Sequence, residues 1–209
     1  MCVDSLIKTV IVLPSTDVNF QINNSAQCFK GHEFSLTDNS VLNSGTYTNA
    51  WEMGDASVKN GATITHKYLN PGNYTVKLIT NTQLNCKDTF ASIVNVYASP
   101  KAKIQINDSD QCLLANDFQL FDISTNATIS NRVWTLMPNT VVGSATQLDY
   151  TFTNGGDYKI QLIVETNQFC RDTVLQNVKV VPSPEFTISG AIKYCQKEPI
   201  RLEAISTDP

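Results

Sequence analysis

The sequence predicts an all-β chain made of tandem β-sandwich modules. A turn and its following strand, Asn70–Tyr74 with the alternating run behind it, recur at Asn154–Tyr158, 84 residues later. Apolar residues alternate over short runs, and no sustained pattern at helical spacing is present. Charged residues make up only 16% of the chain, and Thr and Asn, which favour strands and turns, are common. A strand–turn–strand unit repeated at a fixed period indicates an array of small modules.

The 84-residue period divides the chain into two complete modules, residues 14–97 and 98–181. Residues 1–13 match the last strand of a module, so we expect them to be the tail of a preceding one. Residues 182–209 match the first two strands of a following module. No Gly/Ser linker is present, and prolines mark the predicted junctions: Pro14, Pro100, Pro182 and Pro184.

Each complete module is predicted to hold about seven short strands. A polar turn that contains a cysteine follows the first strand, and a tight Asn-x-Gly turn precedes the strand that starts at Tyr74. The clear segments of the first module are Val18–Asn23, Glu33–Leu36, Ala50–Met53, Ile64–Tyr68, Tyr74–Leu78 and Cys86–Val96.

One Trp on a middle strand and one Tyr after the Asn-x-Gly turn are typical of an immunoglobulin-like sandwich. In that fold the Tyr forms a corner by bonding back to the chain a few residues upstream. Val76 and Ile160 stand where antibody domains place a cysteine, so we expect no disulfide between the two sheets of a module. The predicted core and corner residues are Trp51, Trp134, Tyr74, Tyr158, Gly72 and Gly156.

These residues resemble the PKD domain family. Trp51–Ser57 reads WEMGDAS and is similar to the family's WDFGDGS signature. His66–Val76 contains the HxY and PGxYxV elements of the same family. The second module keeps the corner but reads Trp134–Thr140, WTLMPNT, in place of the signature. The resemblance implies tandem immunoglobulin-like sandwiches of PKD type.

The repeated cysteines extend the resemblance to the PKD arrays of large SprB-like gliding-motility adhesins, which are exported by type IX secretion. This implies an extracellular location on a bacterial cell surface. The implied partners are neighbouring modules of the same long chain, a surface glycan or the substratum contacted through other regions, and outer-membrane anchoring or motility machinery.

Composition argues against several other classes of protein. The net charge of −4 disfavours a nucleic-acid partner, which needs a basic face. No apolar run approaches the roughly 18 residues of a membrane helix. With two histidines, no nucleophile elbow and no Gly-rich phosphate loop, no catalytic constellation is visible, and we expect no enzyme and no cofactor.

Four features of the sequence are candidate sites. Gly54-Asp55 offers a calcium ligand or, as we favour, simply a turn between strands. His32 stands where an HExxH motif would begin, but the second histidine is missing. His66 lies on an inward-facing strand and is expected to be a hydrogen-bonded residue at the core edge. The cysteines form no CxxC pairs, so we expect no metal site.

The leading hypothesis is a structural spacer array within a long secreted adhesin, which projects a binding region and bears load. The alternative is an accessory segment of a secreted hydrolase that binds polysaccharide through exposed aromatic residues. Further 84-residue repeats in a full-length sequence would favour the first, and one adjoining catalytic domain would favour the second.

The six cysteines recur at two positions of the repeat. We call Cys28, Cys112 and Cys195 the early cysteines, and Cys2, Cys86 and Cys170 the late cysteines. A strand of about six residues separates the two ends of a sandwich by roughly 20 Å, whereas a disulfide needs Cα atoms within about 7 Å. The sequence therefore predicts a bond from Cys28 to Cys170 of the next module rather than to Cys86. The four remaining cysteines would pair outside this chain segment.

Overall fold

The computed structural model describes residues 8–9, 12–183, 186–189 and 203–206. It divides the chain into two compact units. Unit 1 consists of Met1–Ser99 with Gln168–Cys170, and unit 2 of Pro100–Asn167 with Arg171–Pro209. All regular elements in the described residues are strands, so the all-β prediction is confirmed. The strand predicted over residues 1–13 lies largely outside the described residues.

Unit 1 is a sandwich of a three-stranded and a five-stranded sheet. The strand orders are β1-β3-β6 and β2-β8-β7-β4-β5. The strands are β1 (Phe20–Ile22), β2 (Ala26–Cys28), β3 (Phe34–Asp38), β4 (Tyr47–Glu52), β5 (Val58–Lys59), β6 (Thr63–His66), β7 (Gly72–Thr82) and β8 (Lys87–Tyr97).

Unit 2 repeats this architecture. Its sheets have the orders β14-β11-β9 and β10-β16-β15-β12-β13. The strands are β9 (Ile104–Ile106), β10 (Asp110–Cys112), β11 (Phe118–Asp122), β12 (Asn131–Leu136), β13 (Thr140–Gly143), β14 (Gln147–Tyr150), β15 (Gly156–Glu165) and β16 (Arg171–Val181).

Two further strands, β17 (Phe186–Ser189) and β18 (Glu203–Ser206), follow unit 2's sandwich in sequence. They pair antiparallel, with Phe186 opposite Ser206. The sequence predicts two strands in residues 182–209, and the second strand of this pair begins at Glu203.

Cys28 and Cys112 lie at the ends of strands and not in the predicted polar turns. Cys28 is the last residue of β2, which pairs parallel with β8 in the other sheet from β1. The chain therefore changes sheets between Ile22 and Ala26. The sequence does not predict this strand because three residues, Ala-Gln-Cys, are too few to show alternation.

The core of each unit lies between its two sheets, where alternating strand residues meet. Trp51 and Trp134 are fully buried, on β4 and β12. Each indole N–H has a partner, since Trp51 Nε1 donates to the Gly61 carbonyl (2.9 Å) and Trp134 Nε1 to that of Ala145 (2.8 Å). The tryptophans thus supply apolar area without leaving a buried donor unpaired.

The tyrosine corner forms in both units. Tyr74 Oη donates to the Asn70 carbonyl at 2.8 Å, and Tyr158 Oη to that of Asn154 at 2.9 Å. A Cβ added to the turn glycine would lie 3.5 Å from the Tyr74 ring at Gly72 and 3.7 Å from the Tyr158 ring at Gly156. The Asn-x-Gly-x-Tyr pattern therefore fixes the same backbone corner twice.

Candidate functional site: the Cys28–Cys170 disulfide

A disulfide joins Cys28 to Cys170, with Cα atoms 5.5 Å apart. The residues are 142 positions apart and come from the first and the second sequence repeat. This is the pair that the sequence analysis expects, and it lies within the compact unit that contains Gln168–Cys170. Cys170 is completely buried.

Cys28 is held by the parallel pairing of β2 with β8. Its Cα partner is Tyr97. The next residue, Phe29, donates its N–H to the Tyr97 carbonyl at 2.8 Å, and Lys30 donates its N–H to Ser99 Oγ at 2.9 Å. These bonds fix the backbone on the C-terminal side of the cysteine.

Cys170 ends the loop between β15 and β16. Phe169, directly before it, has φ +62°, a left-handed conformation that is uncommon for a residue with a side chain. Arg171, directly after it, begins β16, pairs in register with Glu165 and forms an ion pair with that carboxylate. The loop is therefore closed immediately beside the cysteine.

Two more cysteines lie among the described residues as free thiols, Cys86 and Cys112. Cys86 is half-buried and Cys112 is exposed. Cys2 and Cys195 lie outside the described residues. The pairing of these four cysteines beyond this segment therefore stays a prediction.

A polar cluster surrounds the signature turn of unit 1. His66 Nε2 donates to Asp55 Oδ2 at 2.8 Å, and Asp55 Oδ1 accepts from Ser57 N at 3.1 Å and Ser57 Oγ at 2.5 Å. Gly54 has φ +83°, and a Cβ there would lie 2.8 Å from the Thr75 carbonyl oxygen. The turn thus requires glycine, and Asp55 ties it to β6.

Burial opposes ionisation of Asp55, but the hydrogen bonds from Ser57 and His66 and the charge of His66 outweigh it. The pKa of the Asp55 carboxyl is therefore lowered from its usual value. Burial, together with the Asp55 charge, raises the pKa of Tyr68. Tyr68 stays neutral and donates its hydroxyl to the Met53 carbonyl at 2.7 Å. The hydrogen bonds of the cluster therefore hold the signature turn against the edge of the core.

His32 and His66 are both buried, and each is hydrogen-bonded. Tyr68 N donates to His32 Nε2 at 2.8 Å, so the proton of the neutral ring lies on Nδ1, which donates to the Phe29 carbonyl at 2.7 Å. Both ring nitrogens are used in backbone contacts. The expectation that His66 is a hydrogen-bonded core-edge residue is confirmed by its bond to Asp55.

Within the described residues, no group of three or more His, Cys, Asp or Glu side chains is placed to hold a metal ion. The structure gives Asp55 a serine and a histidine as partners instead. The same part of the chain contains no helix with the length and apolarity needed to cross a bilayer.

The Asp55–His66 bond was missed by the sequence analysis, although a signal for it exists. Both residues occur in the first repeat, and both are replaced in the second, where Pro138 stands at the Asp55 position of the signature and Tyr150 at the position of His66. Joint replacement is expected of two residues that bond to each other, because neither keeps its partner when the other changes.

Comparison with known proteins finds a family match for the first repeat. The PKD domain family profile matches residues 15–96. No curated protein matches the chain in sequence.

Among solved structures, the PKD1 domain of Vibrio anguillarum Epp is 20% identical, with TM-score 0.35, over 40% of this chain and 94% of that one. The PKD1 domain of the Vibrio cholerae metalloprotease PrtV is 20% identical, with TM-score 0.35, over 41% and 99%. The fibronectin(III)-like modules of Clostridium thermocellum CbhA are 13% identical, with TM-score 0.37, over 78% and 95%.

Proposed function

We propose that this chain, whose residues 15–96 match the PKD domain family, is a non-catalytic spacer segment of a longer extracellular protein. The segment projects a binding region away from a bacterial cell surface and bears load along the chain. Its direct partners are neighbouring repeats of the same protein.

The observation that carries this proposal is the Cys28–Cys170 bond. A covalent bond between residues 142 positions apart offers tension a shorter route than the backbone. Force applied before Cys28 and beyond Cys170 passes through the sulfur atoms, and the residues between them are relieved of it. Such a bypass suits a spacer that must keep its length under load.

The pairing of the early strands gives each unit a second resistance to extension. β2 lies parallel to β8, and β10 lies parallel to β16. When the two ends of one unit are pulled apart, parallel partners slide lengthwise, so that their hydrogen bonds are strained together and not one after another. This resistance acts when the disulfide is reduced.

The more specific form of the proposal is a large SprB-like adhesin, exported by type IX secretion and used in gliding motility. Its support is the resemblance of the repeated cysteines and of the Cys-x-Asp-Thr segments. Contact with a surface glycan or the substratum, and anchoring to outer-membrane or motility machinery, would then fall to other regions of the protein.

The alternative of a polysaccharide-binding accessory segment gains no support from the aromatic residues. In the part of the chain that the structure describes, Phe90 and Phe169 are the aromatic members of the exposed large apolar side chains, at 39% and 77% exposure. A stacking surface for sugars requires several exposed rings in a row.

Single-molecule stretching of the 209-residue chain between its ends tests the load-bearing role. With the disulfide intact, stretching should not extend the chain between Cys28 and Cys170. Its contour length is about 500 Å, for 142 residues at roughly 3.6 Å each. Reduction should release it. The double variant Cys28→Ser/Cys170→Ser is the matched control and should release it without reductant.

Release of that contour by the oxidised wild-type chain at low force would contradict the load-bearing role. Adhesion itself is tested separately. Antibodies against residues 15–96 should label intact cells of the source organism, and a purely intracellular signal would overturn the surface location.

A further inference from the structure

A polar groove lies on the side of unit 1, where β3 ends beside β4. Its volume is about 600 Å³, and it is lined by Asp38, Tyr47, Thr48, Asn49, Asn60 and Ala62. We propose that this groove binds the guanidinium group of an arginine side chain that belongs to a partner protein. This role goes beyond that of a spacer, because a spacer needs no ligand.

The first argument is that the carboxylate in this groove has an equivalent in unit 2, Asp122, held in the same way. Asp38 and Asp122 each end the middle strand of the three-stranded sheet. Asp38 N donates to the Ala62 carbonyl and Asp122 N to the Thr146 carbonyl, both at 2.8 Å. Oδ1 of each aspartate accepts the N–H of the serine two residues later, at 2.9 Å in both units.

The side chain that bonds to this carboxylate differs between the units. In unit 2 it is Arg132 on β12, which forms an ion pair with Asp122. In unit 1 it is Asn49 on β4, which donates to Asp38 Oδ2 at 2.7 Å. Asn49 and Arg132 are equivalent because each stands two residues before the buried tryptophan of its strand. Asparagine is shorter than arginine and uncharged, so unit 1 has an open groove where unit 2 has a guanidinium group.

The Asp38 carboxylate keeps its negative charge. Burial opposes its ionisation, but hydrogen bonds from Ser40, Asn49 and Tyr47 lower its pKa below the usual value. In the part of the chain that the structure describes, no ion pair involves Asp38. A half-buried carboxylate attracts a cation more strongly than one in bulk water, because the surrounding dielectric is lower.

The second argument is the aromatic residue that unit 1 has beside this carboxylate. Tyr47 stands two residues before Asn49, where unit 2 has Ser130. The Tyr47 hydroxyl lies 3.3 Å from both Asp38 Oδ2 and the Ser40 carbonyl oxygen, so one proton is shared between two distant acceptors. A guanidinium N–H can replace this weak bond to Asp38 with a shorter, charge-assisted one. Guanidinium groups also stack on aromatic rings.

The chemistry of the groove favours a guanidinium group over a metal ion. Asp38 is the one carboxylate in its lining, whereas Ca²⁺ takes about six to eight oxygen ligands. No cluster of three or more His, Cys, Asp or Glu suited to a metal occurs among the described residues. A guanidinium group instead needs acceptors for its N–H donors, and Thr48 and Asn60 in the lining carry further oxygen atoms.

Two features favour an arginine on another protein as the source of this group. The groove is open to solvent, since Thr48, Asn60 and Ala62 are exposed, so a side chain from outside can enter it. The net charge of the chain is −4, which favours the approach of a basic protein surface.

The experiment titrates the 209-residue chain with three peptides that differ in one side chain. The probe is acetyl-Gly-Arg-Gly-amide, and the controls carry lysine or citrulline in place of arginine. NMR follows the side-chain amide signals of Asn49 and Asn60. The arginine peptide should shift them saturably, the lysine peptide should bind more weakly because an ammonium group lacks the planar fork, and the uncharged citrulline peptide should have no effect.

Matched variants test the position of the site. Asp38→Asn keeps the shape of the side chain and should weaken binding about tenfold or more, the loss expected for a hydrogen bond to a charged group. Asn49→Arg gives unit 1 the arginine of unit 2 and should abolish binding by filling the groove. Arg132→Asn should create a second site for the arginine peptide, next to Asp122. Urea unfolding of each variant checks that it is folded.

Four results would overturn the proposal. The first is the absence of a saturable shift when the arginine peptide is added to the wild-type chain. The second is an equal effect of the citrulline peptide or of calcium chloride. The third is binding that survives both Asp38→Asn and Asn49→Arg. The fourth is equal affinity for methylguanidinium, which would make the ligand a small free cation and not an arginine of a partner protein.

Discussion

In unit 1, Asp38 Oδ2 accepts hydrogen bonds from the Asn49 amide at 2.7 Å and the Tyr47 hydroxyl at 3.3 Å. The same aspartate in unit 2, Asp122, pairs instead with Arg132, at 2.5 Å between Oδ2 and Nε. The Asp122 side chain is 1% exposed. One position in the repeat thus keeps its acceptor while neutral donors in one unit are replaced by a cation in the other.

A second exchange concerns the hydrogen bond between the loop before β3 and the segment that follows β6. In unit 1 His32 accepts from Tyr68 N, and in unit 2 Asn116 Oδ1 accepts from Phe152 N at 2.7 Å. Asn116 Nδ2 donates to the Leu113 carbonyl at 2.8 Å, as His32 Nδ1 does to that of Phe29. An imidazole and an amide fill the same role because each offers an N–H donor together with an acceptor.

The third difference is a loss without replacement. The Asp55–His66 bond of unit 1 has no counterpart in unit 2, where Tyr150 lies against Phe152 with ring centroids 4.8 Å apart. Both units nevertheless keep the buried Trp and the tyrosine corner. The comparison teaches that the apolar core and the corner define the sandwich, whereas its polar fastenings can be exchanged or dropped.

The largest expected effect is loss of the buried tryptophans. Trp51→Ala and Trp134→Ala should each destabilise their own unit by about 3–5 kcal/mol, since both side chains are fully buried. The chain has two Trp residues, so the fluorescence of each variant reports the other unit. As urea is added, circular dichroism should show a transition at low urea concentration that fluorescence does not show. Simultaneous early loss of both signals would mean that the units share one core.

The exchange of His32 for Asn116 can be tested by swapping side chains. His32→Leu leaves the Tyr68 N–H buried without its acceptor and should cost unit 1 about 2 kcal/mol, read from urea unfolding. His32→Asn should recover most of this loss because Asn116 performs the role in unit 2. If the leucine and asparagine variants were equally unstable, the hydrogen bonds would not be the reason for the polar residue.

The Asp55–His66 bond of unit 1 predicts that the stabilities of the two units depend differently on pH under acidic conditions. Because the folded-state pKa of Asp55 is lowered, the unfolded chain takes up its proton first. The stability from this group is present above about pH 4, the unfolded value, and is lost as the pH falls through the folded pKa.

Asp55→Asn should therefore flatten the decline of unit 1 stability below pH 4, measured by urea unfolding at a series of pH values. Asp38, whose pKa burial also opposes but hydrogen bonds from Ser40, Asn49 and Tyr47 lower, leaves a residual slope. Unit 2 should be unaffected, and an unchanged slope in unit 1 would contradict the role of Asp55.

The smallest expected effect is a gain. Thr80 is fully buried and its hydroxyl has no hydrogen-bond partner, whereas the equivalent residue of unit 2 is the buried Val164. Thr80→Val should stabilise unit 1 by about 1 kcal/mol, because valine has a similar shape to threonine but lacks the unpaired hydroxyl. Val164→Thr should destabilise unit 2 in the same assay. A destabilising Thr80→Val would show that the hydroxyl is satisfied.

Local patterns predicted the parts of this fold that depend on local signals. Tyr74 and Tyr158 follow their Asn-x-Gly turns, and Trp51 and Trp134 lie on alternating strands, so the corner and core were readable from neighbouring residues. The short strand β2 was not, because its stability comes from pairing with β8, about 70 residues away. The alternation of apolar and polar residues within one segment does not show which distant strand that segment pairs with.

Polar pairing was harder to predict for the same reason. His66 was expected to be hydrogen-bonded, but its partner Asp55 lies eleven residues earlier across a turn. The equivalence of His32 and Asn116 is hidden because the two side chains share no chemistry except one donor and one acceptor. The Cys28–Cys170 pair could be inferred only because sandwich topology limits which ends of a module approach each other.

The Cys28–Cys170 bond also bears on how this chain responds to proteolysis. Any peptide bond between these cysteines lies inside a covalent ring spanning 142 positions. A single cut there opens the ring but leaves the two pieces attached through sulfur. If each early cysteine reaches the next late cysteine but one, successive rings overlap, and one cleavage within them cannot sever the protein. The disulfides then keep the parts of the protein joined after a peptide bond has been cut.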